Sequence, residues 1–214
     1  MASELQTAAP DYFVFFGLAQ KLNLDVALLE REFYKLSRKF HPDLYAREGK
    51  VKQNWSMEQT SFLNDAYRTL KDPIRRTEYL LHLQGVELEE QSKTATEKAR
   101  ASGTIKEQVV PPDLLEEVFE LNMQLEELRR NKKTGEEAPA LVKELEAQRA
   151  ALSSKHEALL QELKAYWSDW DRLVDSGSEP DRRRVRDGMV DLLNRRNYIR
   201  NLLRDVNEAL EPGG

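Results

Sequence analysis

His41 and Asp43 stand two residues apart with Pro42 between them. An imidazole and a carboxylate at that spacing could share a proton. A catalytic histidine needs a third group to orient it, and neither a pocket nor a partner acid is implied beside a proline on a bare turn. His82 falls in the last turn of a short helix, where even partial charge suits the helix dipole; it reads as structural. His156 lies on a long helix near its apolar seam, with no second His or Cys nearby to complete a metal site. Cysteine is absent from the chain, which removes any thiolate nucleophile and any thiolate ligation of a metal or cluster. There is no P-loop and no glycine-rich phosphate fingerprint. The expectation is a chain with no catalytic residue, no cofactor and no metal: not an enzyme, but a protein that works by binding.

The elements around the turn sharpen this. Leu29, Phe33, Leu36 and Phe40 fall at i, i+4, i+7 and i+11, one face of a helix that Asp25 can cap. The opposite face carries Arg31, Lys35 and Arg38, and Lys39 follows. Proline lacks an N–H and pushes the preceding residue out of the α region, so this helix should stop near Phe40. His41 and Asp43 then sit in a solvent-facing turn at the end of a cationic stripe. A polar loop is expected from Leu44 to about Asn54. A helix over about Trp55–Lys71 follows, with Phe62, Leu63, Ala66, Tyr67 and Leu70 on one side, packed antiparallel on the first through apolar faces. Pro73 opens a short helix that Gly85 closes. Upstream, residues 1–9 read as loose, Pro10-Asp11 can open a short helix, and Tyr12, Phe13, Phe15 and Phe16 supply core.

His-Pro-Asp between two amphipathic helices, the first of them basic, resembles a J-domain. Tyr12-Phe13-Val14-Phe15-Phe16-Gly17-Leu18, Ala66-Tyr67-Arg68-Thr69-Leu70-Lys71-Asp72-Pro73 and Arg76-Thr77-Glu78-Tyr79-Leu80-Leu81 are similar to the HscB branch, the J-protein co-chaperones of iron–sulfur cluster assembly. The resemblance covers roughly residues 11–85. It implies that His41, Pro42 and Asp43, with Arg31, Lys35, Arg38 and Lys39, meet a DnaK/HscA-type chaperone and stimulate its ATPase. Some relatives carry an N-terminal Cys-x-x-Cys metal module, which this chain lacks.

Composition limits the alternatives. Charged residues make up 33% and hydrophobic residues 40%, a helix-rich balance. No stretch has the length and apolarity of a membrane span, and Met1-Ala2-Ser3-Glu4-Leu5 shows neither a basic nor an apolar leader pattern. A cytoplasmic protein without membrane partners is expected, since absent cysteine also fits a reducing compartment. The net charge of −5 is uneven: residues 1–85 hold 12 basic and 11 acidic side chains, and the remainder is net −6. Nucleic acid is therefore not an expected partner.

The second half reads as a different domain. Residues 86–112 are charged and nearly free of large apolar groups, a linker ended by Pro111-Pro112. From Asp113, Leu114, Val118, Leu121, Leu125 and Leu128 form a 4-3-4-3 seam. Asn131 to Pro139 is a turn. A second helix is expected over about Ala140–Asp175, and a third over about Asp181–Leu210 with Val185, Met189, Leu192, Ile199, Leu203, Val206 and Leu210 near its seam. The fold class is all-α: a J-domain helical hairpin over 10–85, the linker, and an antiparallel three-helix bundle over 113–211.

The first bundle helix carries a second apolar stripe, Leu115, Phe119 and Met123 at i, i+4 and i+8, flanked by Glu116, Glu120 and Glu127. It is either a wide buried face or an exposed strip that receives a partner. In the HscB family an IscU-type scaffold docks on this part of the domain. The resemblance places Leu115, Phe119, Glu120 and Glu127 on scaffold-binding positions. Met123 stands where the family often has an acid, and Tyr198 would complete the surface from the third helix. Two rival readings remain: a general J-protein that delivers unfolded clients, and a coiled-coil scaffold whose turn is incidental. The first sits poorly with the missing Gly/Phe-rich segment and missing cysteine repeats. The second would leave every activity untouched by changes at His41 or Asp43.

Overall fold

A computed structural model of the chain describes residues 11–86, 88, 111–175 and 177–211. Among these, every regular element is a helix, as expected for an all-α chain. The expected loose N-terminus, most of the expected linker and the Pro212-Gly213-Gly214 tail lie outside the described residues. The chain divides into two compact units: residues 1–87 with Tyr166–Arg186, and residues 88–165 with Asp187–Gly214.

The first unit holds α1 (Tyr12–Phe15), α2 (Val26–Phe40), a 3₁₀ turn (Pro42–Tyr45), α3 (Lys50–Lys71) and α4 (Pro73–Leu83). Asp25 starts α2 by accepting from the Ala27 and Leu28 N–H groups, and Asp72 starts α4 by accepting from those of Ile74 and Arg75, with Pro73 at the first position. α2 stops at Phe40, where Pro42 requires it to. α2 and α3 run antiparallel: the Phe33 and Tyr67 rings stack at 4.2 Å, and Phe40 meets Trp55 edge-on at 5.7 Å. Phe13, Leu29, Leu63, Ala66, Leu70, Leu80 and Leu81 are fully or almost fully buried.

α3 begins at Lys50, five residues before the expected Trp55. The apolar pattern starts at Trp55, but the added turn is held by polar contacts that leave no periodicity. Gly49 takes a positive φ of 84° before it, the Gln53 amide donates to the Ala46 carbonyl at 2.7 Å, and Lys52 pairs with Glu48.

The helices of the second half are α5 (Leu115–Thr134, preceded by a 3₁₀ turn over Pro112–Leu114), α6 (Pro139–Leu173) and α7 (Glu179–Leu210). Gly135, at φ 73°, ends α5 with the Glu136 N–H on the Asn131 carbonyl. Pro139, expected as the last residue of the turn, opens α6 instead, the first-turn position where its missing N–H costs nothing. In the second unit Glu117 pairs with Lys155 at 2.6 Å and Gln124 meets Glu144, so α5 and α6 are antiparallel; Asp113 pairs with Arg195 and Lys132 donates to Glu211, so α5 and α7 are parallel. This is an up-down-up bundle. Its core is Leu114, Val118, Leu121, Leu125 and Leu128 against Leu145, Leu152, Leu159, Ile199 and Val206.

The units cut the chain differently from the boundaries at 85 and 113. Tyr166–Arg186 groups with the first unit because the Asp171 carboxylate accepts from the Leu22 N–H at 2.7 Å, the Asn23 N–H at 2.9 Å and the Asn23 amide at 3.0 Å. The Arg76 guanidinium, itself buried, lies over the Trp167 ring at 5.3 Å and donates to the Leu70 carbonyl at 2.6 Å.

Candidate functional site

The turn after α2 is exposed outward and fixed inward. Asp43 keeps 89% of its side chain in solvent and His41 about half. The Asp43 N–H donates to His41 Nδ1 at 3.3 Å, and the Leu44 N–H to the His41 carbonyl at 3.0 Å. With Nδ1 accepting, the ring leaves Nε2 as its donor. Behind the turn, the Tyr45 hydroxyl donates to the Lys39 carbonyl at 3.2 Å, and Trp55 lies edge-on to both Phe40 and Tyr45. Arg31, Lys35, Arg38 and Lys39 are all exposed. Lys35 pairs with Glu32 at 3.0 Å, and the Lys39 ammonium sits 5.4 Å from the Phe40 ring centre. The result is a rigid acidic tip at the foot of a positively charged helix face. No cluster of His, Cys, Asp and Glu among the described residues could hold a metal ion, and no helix among them is long and apolar enough to cross a membrane.

In the second unit, Leu115, Phe119 and Met123 are 53%, 69% and 60% exposed. Of the two readings open from the sequence, the exposed strip is the one observed. The reason is rotational. The seam residues Leu114, Val118, Leu121, Leu125 and Leu128 already fill the inward face of α5, and each ridge residue follows roughly 100° or more around the helix. Glu116, Glu120 and Glu127 are exposed beside the ridge.

Comparison with known proteins agrees with this arrangement. No family model matches the chain. It is 44% identical over 84 residues to the co-chaperone protein HscB homolog of Vibrio cholerae serotype O1 (El Tor Inaba N16961), which is 39% of this chain and 49% of that protein. The homolog from strain M66-2 is 43% identical over the same length. The fold resembles the solved chaperone HscB from Vibrio cholerae over 93% of this chain and 96% of that one, at 26% identity and a TM-score of 0.58. In sequence over its first part and in fold over nearly its whole length, the chain is similar to HscB co-chaperones. The human co-chaperone protein HscB shares its fold, with a TM-score of 0.60 at 21% identity, over 94% of this chain and 82% of that one. The chain spans about half the length of the curated HscB relatives it matches.

One expected contact residue does not lie on this surface. Tyr198 is 6% exposed and belongs to the bundle core with Ile199, Leu202 and Val206. Burial, with the Asp205 charge behind it, pushes its phenol above the ordinary value. The sequence held the signal, since Tyr198, Leu202, Val206 and Ala209 fall at i, i+4, i+8 and i+11. The expected seam ran through Ile199, Leu203, Val206 and Leu210 and left out Tyr198 and Leu202, whereas α7 buries two adjacent stripes. Sequence reasoning also missed the groups that hold the turn from behind, Tyr45, Ser56 and Thr60, whose partners are backbone carbonyls. Hydroxyl-to-carbonyl pairs leave no periodic trace.

Proposed function

We propose that the chain is a co-chaperone of iron–sulfur cluster assembly, acting in the cytoplasm. It stimulates the ATPase of a DnaK/HscA-type chaperone through His41-Pro42-Asp43 and delivers to it an IscU-type scaffold. The observation that carries the reading is the turn itself, exposed on one side and fixed from the other, at the end of a basic helix face. Arg31, Lys35, Arg38 and Lys39 steer encounter with an acidic patch on the chaperone, an effect on association rate more than on final affinity. The turn then favours the chaperone's hydrolysing state, and the differential contact must be made by Asp43, the most exposed charge of the three residues. ATP and its catalytic groups stay in the partner.

Leu115, Phe119 and Met123, with Glu120 and Glu127, form the scaffold-docking ridge in this reading. An apolar strip with acidic margins suits a folded partner with a complementary apolar patch and basic rim. One chain that holds both partners raises the concentration of each near the other.

The test is a titration of chaperone ATPase rate with this protein, with and without IscU-type scaffold. Stimulation by the wild type, further raised by scaffold, supports the reading. Asp43→Asn should abolish stimulation while leaving the circular dichroism spectrum and melting curve unchanged. Equal stimulation by Asp43→Asn refutes the role of the turn, and greater enhancement by a denatured client than by scaffold favours a general J-protein.

A further inference from the structure

The carbonyl of Phe40 ends α2 and immediately precedes the His41-Pro42-Asp43 turn. A helix leaves its last carbonyls without intrahelical partners, and the neighbouring N–H groups cannot supply one here. Pro42 has none, the Asp43 N–H points to His41 Nδ1, and the Leu44 N–H is given to the His41 carbonyl. The partners come instead from α3. The Ser56 hydroxyl donates to the Phe40 carbonyl at 2.7 Å and the Thr60 hydroxyl at 3.1 Å. Ser56 and Thr60 are one helical turn apart, so both face the same oxygen, and a carbonyl oxygen has two lone pairs to receive them. Ser56 is 0% exposed, so water cannot replace its hydroxyl without a rearrangement.

We propose that Ser56 and Thr60 are positioning residues for the turn: together they pin the backbone just before His41 to α3, and so hold the turn in its active shape before any partner arrives. The inference rests on the function proposed above and goes one layer deeper. Neither hydroxyl reaches the surface that would meet the chaperone. Their effect is to remove the ordering that binding would otherwise have to impose on the turn, the general gain from preorganisation. Trp55, the residue before Ser56, packs edge-on against Phe40 and Tyr45 at the same joint and is itself partly in solvent.

The substitutions Ser56→Ala and Thr60→Val each remove a hydroxyl and nearly preserve volume. In the double variant, which loses both hydrogen bonds, maximal chaperone stimulation at saturation should fall by at least about fivefold, the effect of one of them alone. The half-saturating concentration should change little, because the basic face of α2 is intact. A merely structural role would instead lower the melting temperature and leave the maximum unchanged in the cold. Thr60→Ser keeps the donor and should behave as wild type, and Thr60→Val alone, at the less buried position, guards against a double variant that fails to fold. Hydrogen exchange gives a readout without the chaperone: the Leu44 amide should exchange about fivefold faster in the double variant. Full stimulation by the double variant overturns the proposal. If the wild type stimulates nothing, the proposed function has failed, and the positioning claim stands or falls on the Leu44 exchange rate, with an unchanged rate overturning it.

Discussion

Replacing Leu115 and Phe119 together with alanine separates a binding ridge from a packed core. A phenylalanine presents about 200 Å². Phe119 is 69% exposed, so about 140 Å² of it meets solvent. Covered by a partner at about 25 cal/mol per Å², that area is worth about 3.5 kcal/mol, and the half-exposed Leu115 adds about 1 kcal/mol. Association orders side chains and desolvates the rim, so about half of this sum, 2 kcal/mol, survives as affinity. Two kcal/mol is about a thirtyfold rise in Kd for the scaffold. The remaining third of Phe119 packs on its own unit, about 1.5 kcal/mol of stability at most, partly offset by the better helix propensity of alanine. Leu121→Ala, at a site 3% exposed on the same helix, should cost about 2–5 kcal/mol. The assay is paired: calorimetric titration of IscU-type scaffold into each variant, and thermal unfolding of each variant alone. The double variant should lose affinity and keep its melting temperature within a few degrees. A fall in melting temperature matching that of Leu121→Ala, or an unchanged Kd, refutes the reasoning.

Three further outcomes are expected. Raising salt from about 0.1 M to about 1 M shortens the Debye length from about 10 Å to about 3 Å; the half-saturating concentration in the chaperone ATPase assay should rise several-fold while the maximum holds, and a salt-independent midpoint would remove the steering role of Arg31, Lys35, Arg38 and Lys39. Asp171→Ala strips the partners from the Leu22 and Asn23 N–H groups and should destabilise the first unit by about 2 kcal/mol, seen as faster amide exchange at Leu22 and Asn23 and a melting temperature lower by about 4–8 °C. Burial, and then the charges of Arg196 and Arg200, hold the His156 imidazole below its ordinary value of 6.5. The folded state therefore resists a proton that the unfolded state accepts, so stability is full above about 6.5 and declines as pH falls below it toward the folded value; His156→Gln should flatten the loss between pH 7.5 and 5.5 relative to wild type, measured as the difference in urea midpoints.

What the sequence made legible follows a rule visible in particular residues. α2 could be read to the residue because its signals are local: Asp25 caps it two and three residues from its donors, and Pro42 ends it by its own ring. The apolar seam of α5 was equally plain, because a stripe of leucines at 4-3 spacing has one burial solution in a bundle. The early start of α3 was hidden, since its first turn is held by Gly49, Glu48 and Gln53 rather than by burial. The grouping of Tyr166–Arg186 with the first unit was hidden more deeply. Its decisive bonds join Asp171 to Leu22 and Asn23 across 148 or more residues, and a single carboxylate on a charged helix gives no hint of which distant N–H it will accept from.

Exposure decides which readings of the site survive. The family resemblance assigned Leu115, Phe119, Met123 and Tyr198 to one surface, yet only the first three are in solvent. The difference lies in how many neighbours each helix has to satisfy. In α5 a single stripe of five residues serves the core and leaves its back free, so apolar residues there have no structural reason to be apolar. In α7 Tyr198, Leu202 and Val206 sit beside Ile199 and Leu203, two stripes that the fold itself needs, and the tyrosine is explained by packing alone. The acids beside the α5 ridge add a second constraint. Two copies of this chain meeting ridge to ridge would bring Glu116, Glu120 and Glu127 of one close to the same acids of the other, a like-charge arrangement that works against self-association.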